Sequence, residues 1–356
     1  MYTPHCTDAA SITGGLGTHG NCGCVDVHTH IVPHDFPRYL GSIPDVPWPS
    51  MTAAQSCHRH VMVSGKVYRT VSHHAWEPQQ RVKDMDASGI ERQVLSPMPE
   101  LLAYWMNPTD GAAMARYLNE TTASMVAAAP DRLAGLGAVP LQDVDRAIAE
   151  LDFLMHELGL SGVEIGGNIN GVPIGDVRFR PFFEAAERWG AAIFVHPLRP
   201  VGLERLVGPA GLEQVLAFPG EIGLAAASMI TGGTLVRHPR LRIAFSHGGG
   251  SLPILLFRLQ HAWETIAPLR DAIEVSPSEV ARTMYYDDLL YRADAITSLI
   301  QTMGPTQVMV GSDYPFAIMD RDPAGRIAEL NIQPEWVPLL RGHNARRWLG
   351  MGEAGS

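Results

Sequence analysis

The sequence predicts an α/β fold, a (β/α)8 barrel of the TIM type with a small insertion after strand 1, and three observations carry that prediction. Eight strand-like runs alternate with amphipathic helical runs along most of the 356 residues. The connections are short, and no GxGxxG turn follows the first strand, which disfavours a doubly wound sheet. Polar residues collect at the C-terminal ends of several runs, the ends that converge on one face of a barrel. An open α/β sheet is the runner-up.

Residues 1–22 carry Gly, Thr and Ser without apolar periodicity and read as a loosely ordered tail, so the barrel is expected over residues 23–350. The first strand is CVDVHTH (24–30), where Val25 and Val27 favour extended backbone. Side chains alternate along a strand, so His28 and His30 point to the same face. Residues 33–76 hold many prolines and then GKVYRTVS, an insertion large enough for a small hairpin or lid. The remaining strands are expected at ERQVLSP (91–97), RLAGLGAVP (132–140), GVEIGG (162–167), AAIFVHP (191–197), RIAFSHGGG (242–250), TMYYDDLL (283–290) and QVMVGSDYP (307–315). Between them, runs such as PQQRVKDMDASG, DVDRAIAELDFLMHELG, RPFFEAAERWG and DAITSLIQTMG repeat apolar residues every three or four positions and end in Gly, a helix stop.

Composition excludes several classes of function. A net charge of −10 disfavours a nucleic-acid partner, because such proteins present a basic face to phosphates. No apolar run looks long enough to span a bilayer, so no membrane partner is expected. Four cysteines do not make a disulfide framework in a chain of this length, and the first residues lack a basic patch followed by an apolar stretch. A reducing, cytoplasmic setting and a small-molecule substrate are expected.

Fifteen histidines need sorting. His5, His19, His58, His60, His73 and His74 sit in polar or Gly-rich surroundings and read as surface or loop residues. Cys6, His19, Cys22 and Cys24 have a spacing that matches no usual zinc knuckle. The chemistry lies instead at strand ends: His28 and His30 after strand one, His196 after strand five, His247 after strand six and Asp313 after strand eight. Three imidazoles (His28, His30, His196) and one carboxylate (Asp313) suit one borderline divalent ion, Zn²⁺ first, with Mn²⁺, Fe²⁺ or Co²⁺ as alternatives. His247, followed by three glycines that allow close approach of a substrate, is better placed as an acid/base, or as a hydrogen-bonding partner for metal-bound water, than as a ligand.

In that order, DVHTH, FVHP, SHGGG and GSDYPF resemble the amidohydrolase superfamily. With KVYRTV, WEPQQRVKDMDASGI and the SMITGG run, the chain is similar, over nearly all of it after residue 24, to the 2-amino-3-carboxymuconate-6-semialdehyde decarboxylase family. The resemblance implies one metal, usually zinc, on His28, His30, His196 and Asp313, with His247 as catalytic acid/base and Arg69 gripping a substrate carboxylate. It also implies a homodimer in which relatives borrow an arginine from the partner; Arg258 and Arg270 lie near in sequence without aligning to it. Binuclear superfamily members bridge two ions with a carboxylated lysine on strand four, where this chain has GVEIGG; Glu164 is read there as a support residue. Where close relatives carry a pocket tryptophan after FVHP, this chain has Leu198 and then Arg199.

The expected activity is a metal-dependent, non-oxidative decarboxylation of a small aromatic or muconate-semialdehyde-type acid. His247, a water it activates, or Asp313 would return a proton to carbon. Lys66 and Arg69 are expected to clamp the anion, and Trp105, with Tyr104, to flank a planar substrate. The alternative is a hydrolase of a lactone, amide or other C–N bond, or a hydratase, on a similar acidic substrate.

Overall fold

The computed structural model describes residues 23–352. Eight parallel strands pair in chain order: β1 (Cys24–Ile31), β2 (Ile90–Pro97), β3 (Leu133–Gly137), β4 (Gly162–Gly166), β5 (Ala192–His196), β6 (Arg242–Phe245), β7 (Tyr285–Asp287) and β8 (Val308–Met309). The seam closes between the last strand and the first. Val27 N–H donates to Val310 O at 2.8 Å, and further along His30 N–H donates to Tyr314 O at 2.7 Å. The (β/α)8 barrel expected from the sequence is therefore the fold. The helices that follow the strands are α1 (Pro78–Ser88), α2 (Pro108–Ala127), α3 (Val144–His156), α4 (Arg180–Trp189), α5 (Phe218–Thr231), α6 (Leu252–Thr265), α7 (Ala293–Met303) and α8 (Asn344–Leu349).

Strands of a parallel barrel face helices on one side and the barrel interior on the other, so they read as unbroken apolar runs. β1, β3, β4 and β5 are buried at every position. The interior is filled by Val25, Val27, Val94, Leu136, Phe194 and Met309, and one end is plugged by Trp348 of α8, whose ring meets Phe194 at 6.1 Å. Each such buried side chain contributes roughly 1.5–3 kcal/mol. The plug leaves the opposite mouth for chemistry.

β1 departs from simple alternation. Val25 and Val27 belong to the interior cluster, so strict period two would turn His28 outward. A register irregularity between Asp26 and Thr29 resets the phase, which brings His28 and His30 to the interior after Val27.

The insertion folds as a three-stranded antiparallel sheet, Ser50–Ala53, His58–Val63 and Lys66–Ser72, separate from the barrel sheet. Its hairpin turns at Ser64 and Gly65, both with positive φ (50° and 73°), as a two-residue loop matched to strand twist requires. Val61 and Val71 anchor its base in the core.

Two sequence expectations need revision. The helical run Glu213–Thr231 has a mean hydropathy of 1.2 and is long and apolar enough to cross a membrane. Its inner face, including Ile222, Ala226 and Met229, joins the main apolar cluster of the barrel, which accounts for that composition. Cys57 is disulfide-bonded, against the expectation of a fully reduced chain. Cys6, His19 and Cys22 lie outside the described residues.

Candidate metal centre

Four side chains meet inside the open mouth of the barrel. His28 and His30 come from β1, His196 ends β5, and Asp313 lies in the loop after β8; all four are buried, and one donor atom from each lies within 4.8 Å of the others. Their approach is tied to the seam, because Asp313 N–H donates to His28 O at 2.8 Å. Gly311 makes that approach possible: a Cβ there would lie 2.9 Å from His28 Cβ.

Each imidazole has an acceptor at Nδ1, which fixes the tautomer and leaves Nε2 as the binding atom. His28 Nδ1 lies 2.7 Å from Asp287 Oδ2, His30 Nδ1 lies 3.3 Å from Pro97 O, and His196 Nδ1 lies 2.9 Å from Pro197 O. The Nε2 atoms of His28 and His30 stand 3.1 Å apart, with Asp313 Oδ1 at 3.5 and 3.2 Å from them. Lone pairs so crowded repel unless a positive charge sits among them, and three imidazoles with a carboxylate are a donor set for a divalent cation. The residues fit a single metal ion.

The electrostatics point the same way. Burial opposes charge on His28, yet the hydrogen bond and charge of Asp287, with Asp313 and Glu164 beyond, push its pKa up to about 9. Burial pushes His30 down to about 4 and His196 well below its ordinary value, the latter also through the neighbouring imidazoles. The pocket thus favours one positive charge, which a bound cation supplies in place of a proton. Burial also raises Glu164 to about 8; Ser96 Oγ donates to its Oε2 at 2.5 Å, and that oxygen lies 3.6 Å from His30 Nδ1. Glu164 lies beside His30 and outside the four donors.

His247 stands beside the four donors. Its ring centroid is 5.4 Å from those of both His28 and His196, and burial followed by the charge of His28 holds its pKa near 4. Both His247 (φ 54°) and Asp313 (φ 65°) occupy the left-handed region, a strain that clusters at functional sites. Glycines after His247 let the turn fold tightly, since a Cβ on Gly250 would lie 2.1 Å from Pro219 O.

A cavity of about 280 Å³ opens onto this cluster, lined at its polar end by His196, His247 and Asp313 and elsewhere by Met98, Phe218, Leu289, Leu290 and Phe316. Arg69 also lines it, with its guanidinium 4.2 Å above the Phe316 ring. Lys66 does not: it is exposed beside the hairpin turn, paired in register with Val63. Trp105 lies outside the lining, its ring 3.2 Å from the Arg199 guanidinium, and the buried Tyr104 hydroxyl accepts a hydrogen bond from Gly166 N–H. Arg258 and Arg270 are exposed on the surface of the chain.

The sequence reading missed Asp287 and Glu100. Asp287 was signalled by the Asp287–Asp288 doublet closing the seventh strand, a position equivalent to the other polar strand ends. Glu100 lines the cavity after β2 and had no pattern to reveal it.

Known proteins agree with this geometry. The family model described as amidohydrolase matches residues 25–351. A 2-amino-3-carboxymuconate-6-semialdehyde decarboxylase of Dictyostelium discoideum is 34% identical over 329 residues, covering 92% of this chain and 91% of that protein. Among solved structures, a 5-carboxyvanillate decarboxylase from Sphingomonas paucimobilis is 29% identical with a TM-score of 0.70, covering 77% of this chain and 83% of its own. A 2,6-dihydroxybenzoate decarboxylase complexed with 2,6-dihydroxybenzoate is 25% identical with a TM-score of 0.69, covering 78% and 90%. By its motifs, its barrel and this match along almost its whole length, the chain belongs to the amidohydrolase family.

Proposed function

We propose that the chain is a metal-dependent, non-oxidative decarboxylase, a carboxy-lyase, of a small aromatic or muconate-semialdehyde-type carboxylic acid. The observation that carries this reading is the meeting of four buried donors, an adjacent non-donor imidazole and an arginine on one cavity of about 280 Å³, a volume suited to a single ring. Relatives named as decarboxylases support the reaction class.

His28, His30, His196 and Asp313 would hold the ion, which when bound polarises an oxygen of the acid substrate. Zinc is the ion we favour, because imidazole and carboxylate are donors it commonly takes; Mn²⁺, Fe²⁺ and Co²⁺ would accept the same set. Arg69 takes a substrate carboxylate with its planar fork while Phe316 supports the guanidinium face. The apolar walls exclude water and hold the conjugated body of the substrate. Loss of CO2 leaves the electron pair of the broken C–C bond in the conjugated system, and that carbon must take a proton. His247 is neutral at working pH, so it takes a proton from solvent at its ring nitrogen and delivers it to carbon; acid anion plus that one proton give the protonated product and CO2. Asp313 shares in this traffic as the acidic wall of the same cavity.

The exposed apolar side chains of Leu224 on α5 and Ile254, Leu255 and Phe257 on α6, two helices in contact, support a homodimer. We place the protein in the cytoplasm on its low cysteine count, with the Cys57 disulfide as the observation that opposes this setting. Mass analysis of protein alkylated under denaturing conditions at the moment of lysis tests it: four alkylated cysteines fit a reducing compartment, and fewer fit a retained Cys57 disulfide.

The deciding experiment for the reaction uses zinc-loaded protein on a panel of carboxylated phenols, anthranilates and muconate semialdehydes. Release of one CO2 per substrate, with one proton taken up from solvent and no solvent oxygen in the organic product, is expected. Incorporation of solvent oxygen into product with no CO2 released would replace the reading with a hydrolase or hydratase.

A further inference from the structure

Three segments distant in sequence meet at the cavity rim around one carboxylate, Glu100. Glu100 follows β2, Tyr68 and Arg69 lie on the insertion strand Lys66–Ser72, and Arg199 follows β5. The Tyr68 hydroxyl donates to Glu100 Oε2 at 2.9 Å, while Nε and Nη2 of Arg199 both approach Oε1 at 3.4 Å. Arg199 is backed in turn by the Trp105 ring at 3.2 Å. Burial, reinforced by the Glu100 charge, drives the Tyr68 hydroxyl well above its ordinary pKa, so it stays a donor.

A carboxylate on the wall that carries Arg69 would ordinarily compete with an acidic substrate for that arginine. Both Glu100 oxygens are instead committed, one to Tyr68 and one to Arg199. The insertion sheet pairs its own strands and none of the barrel's, so side chains must place it over the mouth. Its base is anchored by Val61 and Val71; the tie next to Arg69 is the one from Tyr68 to Glu100.

We propose that Glu100 is a positioning residue: through Tyr68 it latches the insertion strand to the barrel rim, so that Arg69 is presented to the substrate carboxylate. This rests on the assignment of Arg69 made above. Glu100 touches no reacting atom in this role. Its effect is transmitted through Arg69 alone.

The test measures salicylate binding to the full-length zinc-loaded protein by calorimetry, with zinc content determined in each variant. Tyr68→Phe and Glu100→Ala are expected to raise the salicylate Kd by roughly three- to tenfold each, the range for the net contribution of a typical hydrogen bond. The double variant should be no weaker than either alone. Glu100→Gln, which keeps an acceptor for Tyr68, should recover most of the loss. In an Arg69→Ala background, Glu100→Ala should add nothing, and zinc content should match the parent throughout. A Glu100→Ala effect of equal size without Arg69 would make Glu100 a direct substrate contact and overturn the latch. So would an unchanged Kd in both single variants while Arg69→Ala weakens binding, or zinc loss in Tyr68→Phe. An Arg69→Ala protein that binds salicylate as the parent does, or a parent that does not bind it, would instead remove the assignment on which the latch rests.

Discussion

Asp287 and His28 form a wholly buried pair, Oδ2 to Nδ1 at 2.7 Å, on the edge of the imidazole opposite the nitrogen that faces the other metal donors. The other Asp287 oxygen accepts from Gly248 N–H at 2.8 Å and Leu289 N–H at 3.2 Å. The carboxylate therefore cannot swing away from the ring. Burial alone would raise its pKa, but the hydrogen bond and charge of His28 outweigh burial and hold it below the ordinary range. A fixed anion behind the ring makes Nε2 a better donor.

Asp287→Asn keeps the shape and removes the charge. Zinc affinity should fall roughly 10- to 100-fold, read by competition with a chelator of known affinity. An affinity equal to that of the parent would mean that the pair merely fills space.

His247→Ala should retain zinc yet lose roughly 10²- to 10⁴-fold in turnover, because its ring stands beside the donors while facing the cavity. Metal analysis and rates on the same preparation decide. Full activity in this variant would remove the acid/base role.

His196→Ala and Asp313→Ala should lose both metal and activity, and stringent chelation of the parent should abolish turnover until zinc is restored. Protons and the ion compete for the same imidazole nitrogens. Zinc affinity should therefore weaken as pH is lowered below about 9, where His28 takes a proton, fall more steeply near 4, where His30 does, and recover on return. Turnover that survives chelation would exclude a metal-dependent reaction.

Arg81 sits wholly buried beneath the centre, donating to His30 O at 2.7 Å, His74 O at 3.2 Å and Gln93 Oε1 at 3.2 Å, with its guanidinium 4.7 Å from the Tyr314 ring. Arg81→Met preserves bulk and strands these acceptors. Urea unfolding should show a loss of about 3 kcal/mol. A loss below about 1 kcal/mol would mean that water replaces the guanidinium there.

The strands were legible because a parallel barrel strand, buried on both faces, is a short apolar run that stops at a polar residue. That same stop identified His196, His247 and Asp313. The β1 pair was legible as two residues sharing a face, whereas the phase reset that turns them inward was not, because a bulge leaves no mark in hydropathy. Lys66 and Arg69 read as equivalent cations, yet Lys66 opens its strand beside the Ser64–Gly65 turn and stays in solvent, whereas Arg69, further along the same strand, reaches the cavity. Asp287 and Glu100 act by touching other side chains across the fold, a relation carried by distance in space rather than by spacing along the chain.

The bond from Asp313 N–H to His28 O joins the first strand to the segment after the last. Because the ion's donors come from both sides of this junction, ring closure and cation capture are coupled equilibria. During synthesis, the amino-terminal histidines must wait for nearly the entire polypeptide to leave the ribosome before the centre is complete. Metal supplied afterwards would act as a clasp, opposing any fluctuation that parts the two ends of the sheet.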